Sequence, residues 1–177
     1  IDGRHARAFF NRGVAYRSKG DEARALADFS KAVELDPAIQ DAWYGKGLIH
    51  LQQKEYEKAL EDAGRVLNLE PKHAGALKVR AEAELALDKP EAALEDLSEA
   101  LMLLPQDCES YYLRATAYAG LKQPRKALAD LNRTLEINPK HVRALLKHGN
   151  LLFAEGRKRE ALENYNKVIN LDPDNAE

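Results

Sequence analysis

The fold is decided by residues 6–39, which read ARAFFNRGVAYRSKGDEARALADFSKAVELDPAI. The same pattern of large, small and proline positions returns every 34 residues along the chain. Its most visible mark is one proline in each copy: Pro37, Pro71, Pro105, Pro139 and Pro173. An unbroken period of this length predicts a repeat array rather than a globule with one central core.

Three further positions recur in register with the prolines. Twelve residues before each proline is an alanine: Ala25, Ala59, Ala93, Ala127 and Ala161. Twenty-four residues before it is a very small residue: Gly13, Gly47, Ala81, Ala115 and Gly149. Twenty-eight residues before it is a large apolar residue: Phe9, Trp43, Leu77, Tyr111 and Leu145. Large and small residues at fixed offsets predict two closely packed helices in each copy, with bulk inserted where the partner is small.

The apolar spacing inside each copy is that of a helix. Ala25, Phe29 and Ala32 recur at steps of three and four residues, and charged residues occupy the other positions. The proline then ends this second helix, because it lacks an N–H and disfavours helix in the residue before it. One such hairpin cannot bury its own apolar face, so the hairpins must stack.

Turn signals separate the two helices of each copy. Gly20 and Gly156 suit the left-handed conformation that closes a helix, and Pro90 and Pro124 suit the first turn of the next one. The sequence therefore predicts five helical hairpins and no strands. The predicted repeats span residues 6–39, 40–73, 74–107, 108–141 and 142–175 of a single array that covers residues 1–177.

This pattern resembles the tetratricopeptide repeat (TPR) over essentially the whole chain. The first copy matches most fully, at Phe9, Gly13, Tyr16, Ala25, Phe29, Ala32 and Pro37. The resemblance implies an all-α fold, an α-α superhelix (TPR solenoid) of five helix-turn-helix repeats in which the first helices line a concave groove. His50 and Glu84 stand where the family has tyrosine, and a charge at a packed position is either exposed or costly. We therefore expect repeat three, which contains Glu84, to be the softest part of the array.

Composition narrows the range of functions and partners that the sequence allows. The formal net charge is −2 with no basic face, so we expect no nucleic-acid partner. No apolar run is long enough to cross a membrane, so we expect no direct membrane insertion. Cys108 is the only cysteine, which favours the cytoplasm while the periplasm remains open. Residues 1–4 match a protease recognition site and are either a tag remnant or natural sequence.

No enzyme constellation emerges, and we predict no catalytic residue, cofactor or metal. His73 and His141 occupy the same position of two repeats, which makes them repeat equivalents rather than metal partners. His148 follows His141 by seven residues, and a packing role is favoured over a metal site. Cys108 begins a helix, but neighbouring acidic residues oppose activation of its thiol.

The resemblance to the family indicates which residues would face the groove. The predicted peptide-binding groove residues are Phe10, Arg17, Tyr44, Leu48, Lys78, Glu82, Tyr112, Thr116, Leu146, Asn150 and Phe153. Tyrosine is common after the large anchor in this family, so Tyr44 and Tyr112 are either ligand contacts or generic filling. Lys78 and Glu82 form an i,i+4 pair that is more consistent with solvation than with ligand reading. Arg143 and Lys147 could meet an acidic peptide, although solvation is favoured for them as well.

This sequence lacks the residues that two known binding schemes of the family require. The carboxylate clamp of chaperone-binding members needs lysine, arginine and asparagine at places that here read Phe10, Val14, Gly45, Gly75 and Val79. The asparagine ladder of the protein O-glycosyltransferase repeats fails after the first copy, where its positions read Asn11, Gly45, Val79, Leu113 and Lys147. We therefore do not expect a carboxylate-clamp chaperone binder.

The leading hypothesis is a protein–protein interaction scaffold that binds a partner peptide or helix and has no catalysis. Its apolar anchors would be Phe10, Tyr44, Tyr112, Leu146 and Phe153, with Arg17, Lys78 and Asn150 orienting the partner. Two alternatives remain open: a regulatory or substrate-docking segment of a larger enzyme, and a self-assembling structural scaffold. Both are motivated by the last hairpin, whose apolar residues Tyr165, Val168 and Leu171 have no following repeat to cover them.

Overall fold

The computed structural model describes residues 3–171, with side chains from residue 5 onward. This part of the chain forms ten α-helices and no strand, so the prediction of an all-α TPR solenoid fold with five hairpins is confirmed. The helices are α1 Gly3–Ser18, α2 Glu22–Leu35, α3 Gln40–Gln52, α4 Tyr56–Leu69, α5 Ala74–Ala86, α6 Pro90–Leu103, α7 Cys108–Gly120, α8 Pro124–Ile137, α9 Val142–Ala154 and α10 Lys158–Leu171. Pro173 and the first two residues of the predicted tag remnant lie outside the described residues.

The helices belong to two compact units, Ile1–Leu103 and Leu104–Glu177, which we call unit 1 and unit 2. Unit 1 contains the hairpins α1/α2, α3/α4 and α5/α6, and unit 2 contains α7/α8 and α9/α10. Inside each unit the second helix of one hairpin packs on the first helix of the next, through α2 and α3, α4 and α5, and α8 and α9. That all five repeats form one continuous array stays a prediction.

The recurring small residues lie where two helices approach most closely. The five recurring alanines are fully buried. At Gly13, an added Cβ would lie 2.8 Å from the ring of Phe29, and at Gly149 it would lie 2.7 Å from the ring of Tyr165. The predicted insertion of bulk against a small partner is therefore present in repeats one and five.

The helix boundaries follow the punctuation of the sequence. Helix α2 ends at Leu35 and is capped by Asp36, directly before Pro37. Pro90 and Pro124 are the first residues of α6 and α8, where their missing N–H costs nothing. The turn between the helices of each hairpin has one residue with positive φ at the same repeat position: Gly20, Lys54, Asp88, Lys122 and Gly156.

A recurring ion pair joins the two helices of a hairpin. In repeat one the Arg12 guanidinium donates two hydrogen bonds to the carboxylate of Asp28, at 2.7 and 2.8 Å. The same bidentate pairing recurs as Arg80 with Asp96 and as Arg114 with Asp130. Because each carboxylate is buried, the pair fixes how one helix lies on the other.

Repeats two and five carry variants of this pair. In repeat two, the Lys46 ammonium lies 3.1 Å from buried Asp62, and His50 Nδ1 lies 2.6 Å from its second oxygen. In repeat five the pair is uncharged, and the side-chain amide of Asn164 donates to His148 Nδ1 at 3.1 Å. Burial lowers the pKa of His148, which favours the neutral imidazole that accepts this bond.

Candidate functional site

In unit 1, the predicted groove residues of the first hairpin lie on one side of α1. Phe10 is half-buried, and its ring lies 5.9 Å from the ring of Phe29 in the core of repeat one. Val14 and Arg17, one and two turns further on, are exposed. Phe10 therefore offers only part of its ring to a ligand, whereas Val14 and Arg17 are open to one.

Tyr44 of α3 packs against the following repeat. Its ring lies 4.9 Å from the imidazole of His73, which also caps α5 by accepting a hydrogen bond from the Ala76 N–H. Gly75 leaves room for it, since a Cβ there would lie 2.6 Å from the Tyr44 hydroxyl oxygen. The ring of Tyr44 thus fills space between two repeats, and only its remaining surface can contact a ligand.

The other predicted residues of unit 1 are half-buried. Leu48 packs against a cluster formed by Ala59, Ala63, Val79 and Ala83. Lys78 and Glu82 lie one turn apart on α5, and neither is fully solvated. Both side chains are therefore only partly open to solvent.

Glu84 occupies a position where the family has tyrosine, and its environment is unfavourable for a charged side chain. Its side chain is half-buried, and its Oε2 atom is buried without a hydrogen-bond partner among the described residues. Burial, and secondarily the charge of Asp96, raise the pKa of Glu84 from 4.5 to about 7. The expectation of a costly charge at this packed position agrees with this environment.

In unit 2, Tyr112 of α7 repeats the arrangement of Tyr44. Its ring lies 5.0 Å from His141, which caps α9 by accepting from the Ala144 N–H. The Arg143 guanidinium lies 4.9 Å from the same ring, and the Lys147 ammonium lies 5.8 Å from it. These tyrosine–histidine contacts were not predicted, although the two tyrosines, like the two histidines, are 68 residues apart in the sequence, which was a signal for them.

Thr116 and Asn150 have polar partners inside unit 2. The Thr116 hydroxyl donates to the backbone carbonyl of Tyr112 at 3.0 Å, one turn back in α7. The Tyr165 hydroxyl donates to Asn150 Oδ1 at 2.9 Å, which holds the exposed amide of Asn150 in place. Asn150 is therefore a positioned polar group on the surface of α9.

Leu146 and Phe153 of α9 are the most open apolar residues of the predicted set. Their exposed fractions are 41% and 56%, and they lie two turns apart on the same side of the helix. Asn150 lies between them in sequence and on that side. We call Leu146, Asn150 and Phe153 the α9 surface.

A second exposed apolar surface lies on α10. Leu162 and Ile169 are exposed, whereas Leu128 and Leu101, which hold the corresponding positions of earlier repeats, are buried. The self-association predicted for this last hairpin stays a prediction.

The described part of the chain contains neither a metal-holding group of side chains nor a helix able to span a membrane. Between residues 3 and 171 no three His, Cys, Asp or Glu side chains are grouped so as to hold a metal ion. No helix of that segment combines the length and apolar character needed to cross a bilayer.

Solved structures share this fold over nearly the whole chain. A MamA fragment from Desulfovibrio magneticus RS-1 is 21% identical with a TM-score of 0.86, covering 100% of this chain and 99% of that one. YrrB, described as a TPR protein with an unusual peptide-binding site, is 25% identical with a TM-score of 0.76, covering 94% and 86%. TTC0263, a TPR protein from Thermus thermophilus, is 25% identical with a TM-score of 0.75, covering 96% and 93%.

Sequence comparison identifies the repeats themselves. An uncharacterized protein of Methanocaldococcus jannaschii is 45% identical over 38 residues, which is 22% of this chain and 44% of that protein. Residues 6–38, 41–73 and 109–141 match the family described as tetratricopeptide repeat, and residues 149–177 match the one described as TPR repeat. These matches together cover more than half of the chain, and three of them fall within predicted repeats one, two and four. The chain therefore belongs to the tetratricopeptide repeat family.

Proposed function

We propose that this protein is an interaction scaffold without catalysis of its own, which binds a segment of a partner protein on the exposed sides of its first helices. The observation that carries this proposal is the exposure of Leu146 and Phe153 on α9. Apolar side chains of this size gain roughly 1.5–3 kcal/mol each when they are fully covered, so their exposure favours a partner. Asn150 between them supplies a positioned amide for the partner backbone.

The family and one relative support the same proposal. The TPR matches cover both units, and YrrB, at 25% identity, is described as having a peptide-binding site. In unit 1, Val14 and Arg17 are exposed on α1 and offer a separate surface for a partner. A stable complex needs on the order of 1,000 Å² of buried surface.

The experiment starts from a phage-displayed library of random peptides that is selected on the immobilised full chain. An enriched peptide is then labelled, and its affinity for variants is measured by fluorescence anisotropy. We expect Leu146→Ala with Phe153→Ala to weaken binding tenfold or more, about 1.4 kcal/mol, because both anchors lose their contacts. These residues are better targets than Tyr44 and Tyr112, whose rings also pack between repeats.

Met102→Ala is the matched control. Met102 lies on the second helix α6 and is 76% exposed, so it is an apolar surface residue outside the proposed contact. Its substitution should leave the affinity unchanged. Equal affinity of the double variant and the wild type, or a selection that enriches no peptide, would contradict the proposed function.

A further inference from the structure

Lys147 of α9 has an environment that packing alone does not explain. Its side chain is half-buried, and this burial lowers the pKa of its ammonium group. Its ammonium nitrogen lies 5.8 Å from the centre of the Tyr112 ring. Across the described side chains of unit 2, no carboxylate lies within ion-pair distance of it.

The equivalent positions of the other repeats show how unusual this lysine is. Gly45, Val79 and Leu113 hold the position in repeats two, three and four and are buried, whereas Asn11 of repeat one is polar and exposed. An apolar residue at this position stabilises a repeat by packing, whereas an unpaired ammonium group loses hydration there. A cation over a tyrosine ring at this distance recovers only a small part of that lost hydration. Inside the described structure, the lysine is therefore only partly compensated for the hydration that it loses.

Arg143, the other cation beside the Tyr112 ring, is already paired with a carboxylate. The Arg143 guanidinium donates to the Glu109 carboxylate at 2.7 Å, and His141 Nε2 lies 3.1 Å from the other oxygen of Glu109. Glu109 is thus occupied by two partners. Lys147 is the cation beside Tyr112 that remains available to an external anion.

We propose that Lys147 pairs with an aspartate or glutamate side chain inside the partner segment that binds the α9 surface. The inference rests on the proposed function and names the chemistry of the partner: an acidic residue close to an apolar residue, which would cover Leu146 or Phe153. A carboxylate would restore to the half-buried ammonium group the interactions that burial removes. This mode differs from a clamp on a chain terminus, because only one cation is available and the acid belongs to a side chain.

The same phage selection tests the inference. Wild type and Lys147→Leu are selected in parallel against peptides displayed with their carboxyl ends fused to the coat protein, so that every available carboxylate is a side chain. Leucine is the residue of repeat four at this position, so we expect this variant to fold with an unchanged or higher melting temperature. The wild type should enrich Asp or Glu near an apolar residue, and Lys147→Leu should keep the apolar preference while losing the acidic one.

Peptide-binding affinities then measure the contribution of the pair between Lys147 and the acidic residue of the peptide. On the wild type, replacing the enriched Glu or Asp by its amide should weaken binding about tenfold, and on Lys147→Leu it should change binding less than twofold. Lys126→Leu is the matched control, because Lys126 also lies over a tyrosine ring, 5.2 Å from the centre of Tyr118, but is exposed on α8. It should behave as the wild type does.

The outcomes separate the two proposals. Enriched peptides without an acidic preference, or an equal loss on both proteins when the acid is replaced, would overturn the role of Lys147 while leaving the scaffold function in place. A preference for a phosphorylated residue over Asp or Glu, tested with synthetic peptides, would also overturn it. Binding that ignores the Leu146 and Phe153 substitutions would instead remove the scaffold function, and this inference with it.

Discussion

At the scale of the residue, the turn inside each hairpin depends on one backbone conformation. Gly20 and Gly156 adopt it with φ of 77° and 81°, while Lys54, Asp88 and Lys122 adopt it with φ between 55° and 61°. Residues with a Cβ are disfavoured there by roughly 1–2 kcal/mol. The packing of the two helices therefore imposes this turn, and glycine only makes it easier.

Two glycine substitutions should have opposite effects. Gly20→Ala should lower the free energy of unfolding by about 1 kcal/mol, because Gly20 has positive φ. Gly64→Ala, inside α4, should raise it by about 0.5–1 kcal/mol, because alanine favours the helix. At both positions an added Cβ meets no atom within 4 Å, so backbone conformation alone differs. Urea unfolding followed by circular dichroism measures both, and shifts of the same sign would contradict this account.

At the scale of the element, the Arg–Asp pairs hold the two helices of a hairpin in register. Arg114 is mostly covered and Asp130 is buried, so this pair is shielded better than an ordinary surface salt bridge. A charge left alone in such a place is costly, since neither water nor a partner solvates it. His148 and Asn164 show that repeat five solves the same contact without charge.

We expect Arg114→Met to lower the free energy of unfolding by about 3 kcal/mol, because it strands the Asp130 carboxylate. Arg114→His combined with Asp130→Asn reproduces the uncharged pair of repeat five and should cost less than half as much. Denaturant unfolding of the single and combined variants provides the comparison. If the combined variant is the less stable of the two, the pair does not act as the coupled unit described here.

The sequence predicted the helix boundaries better than it predicted how deeply individual side chains are buried. The end of α2 before Pro37 and the starts of α6 and α8 at Pro90 and Pro124 followed the prolines, because proline acts through its own backbone. The depth of Tyr44 and Tyr112 could not be predicted, since it depends on His73 and His141, which cap the first helix of the following repeat. The ion pairs were visible as a 34-residue spacing of basic and acidic residues, but their meaning needs the distance between two helices.

At the scale of the whole molecule, the stability of a repeat protein is close to a sum over repeats and their neighbouring interfaces. One unfavourable repeat therefore determines where the array opens first. Glu84 marks repeat three, through a buried oxygen without a hydrogen-bond partner in the described structure. The sequence indicated this position because Glu84 replaces tyrosine, but the extent of burial came from the structure.

Repeat three should lose stability as the pH rises. The pKa of Glu84 is about 7 in the folded protein against an ordinary 4.5, so the folded state binds its proton more tightly than the unfolded state. The stability contributed by the protonated form is therefore complete below pH 4.5, is lost as the pH rises to about 7, and changes no further above that. After allowance for solvent around a half-buried side chain, the loss amounts to about 1–2 kcal/mol.

Hydrogen exchange of α5 and α6 between pH 5 and pH 8, corrected for the intrinsic exchange rate, measures this effect. Protection should fall with pH in the wild type and stay level in Glu84→Gln, which keeps the shape of the side chain without its charge. Glu163→Gln, on the exposed side of α10, is the control and should follow the wild type. Equal pH dependence in wild type and Glu84→Gln would exclude Glu84 as the cause.

The Arg–Asp ion pair between the two helices of a hairpin also bears on how such a protein can grow. In repeats one, three and four both partners of the pair lie within one 34-residue copy, sixteen residues apart. Duplication or deletion of a copy in register moves acid and base together, so it leaves no buried carboxylate orphaned in the neighbouring copy. A gene that encodes such repeats can gain or lose a repeat without a matching mutation elsewhere. A protein engineer can shorten or lengthen the array at the same repeat boundaries.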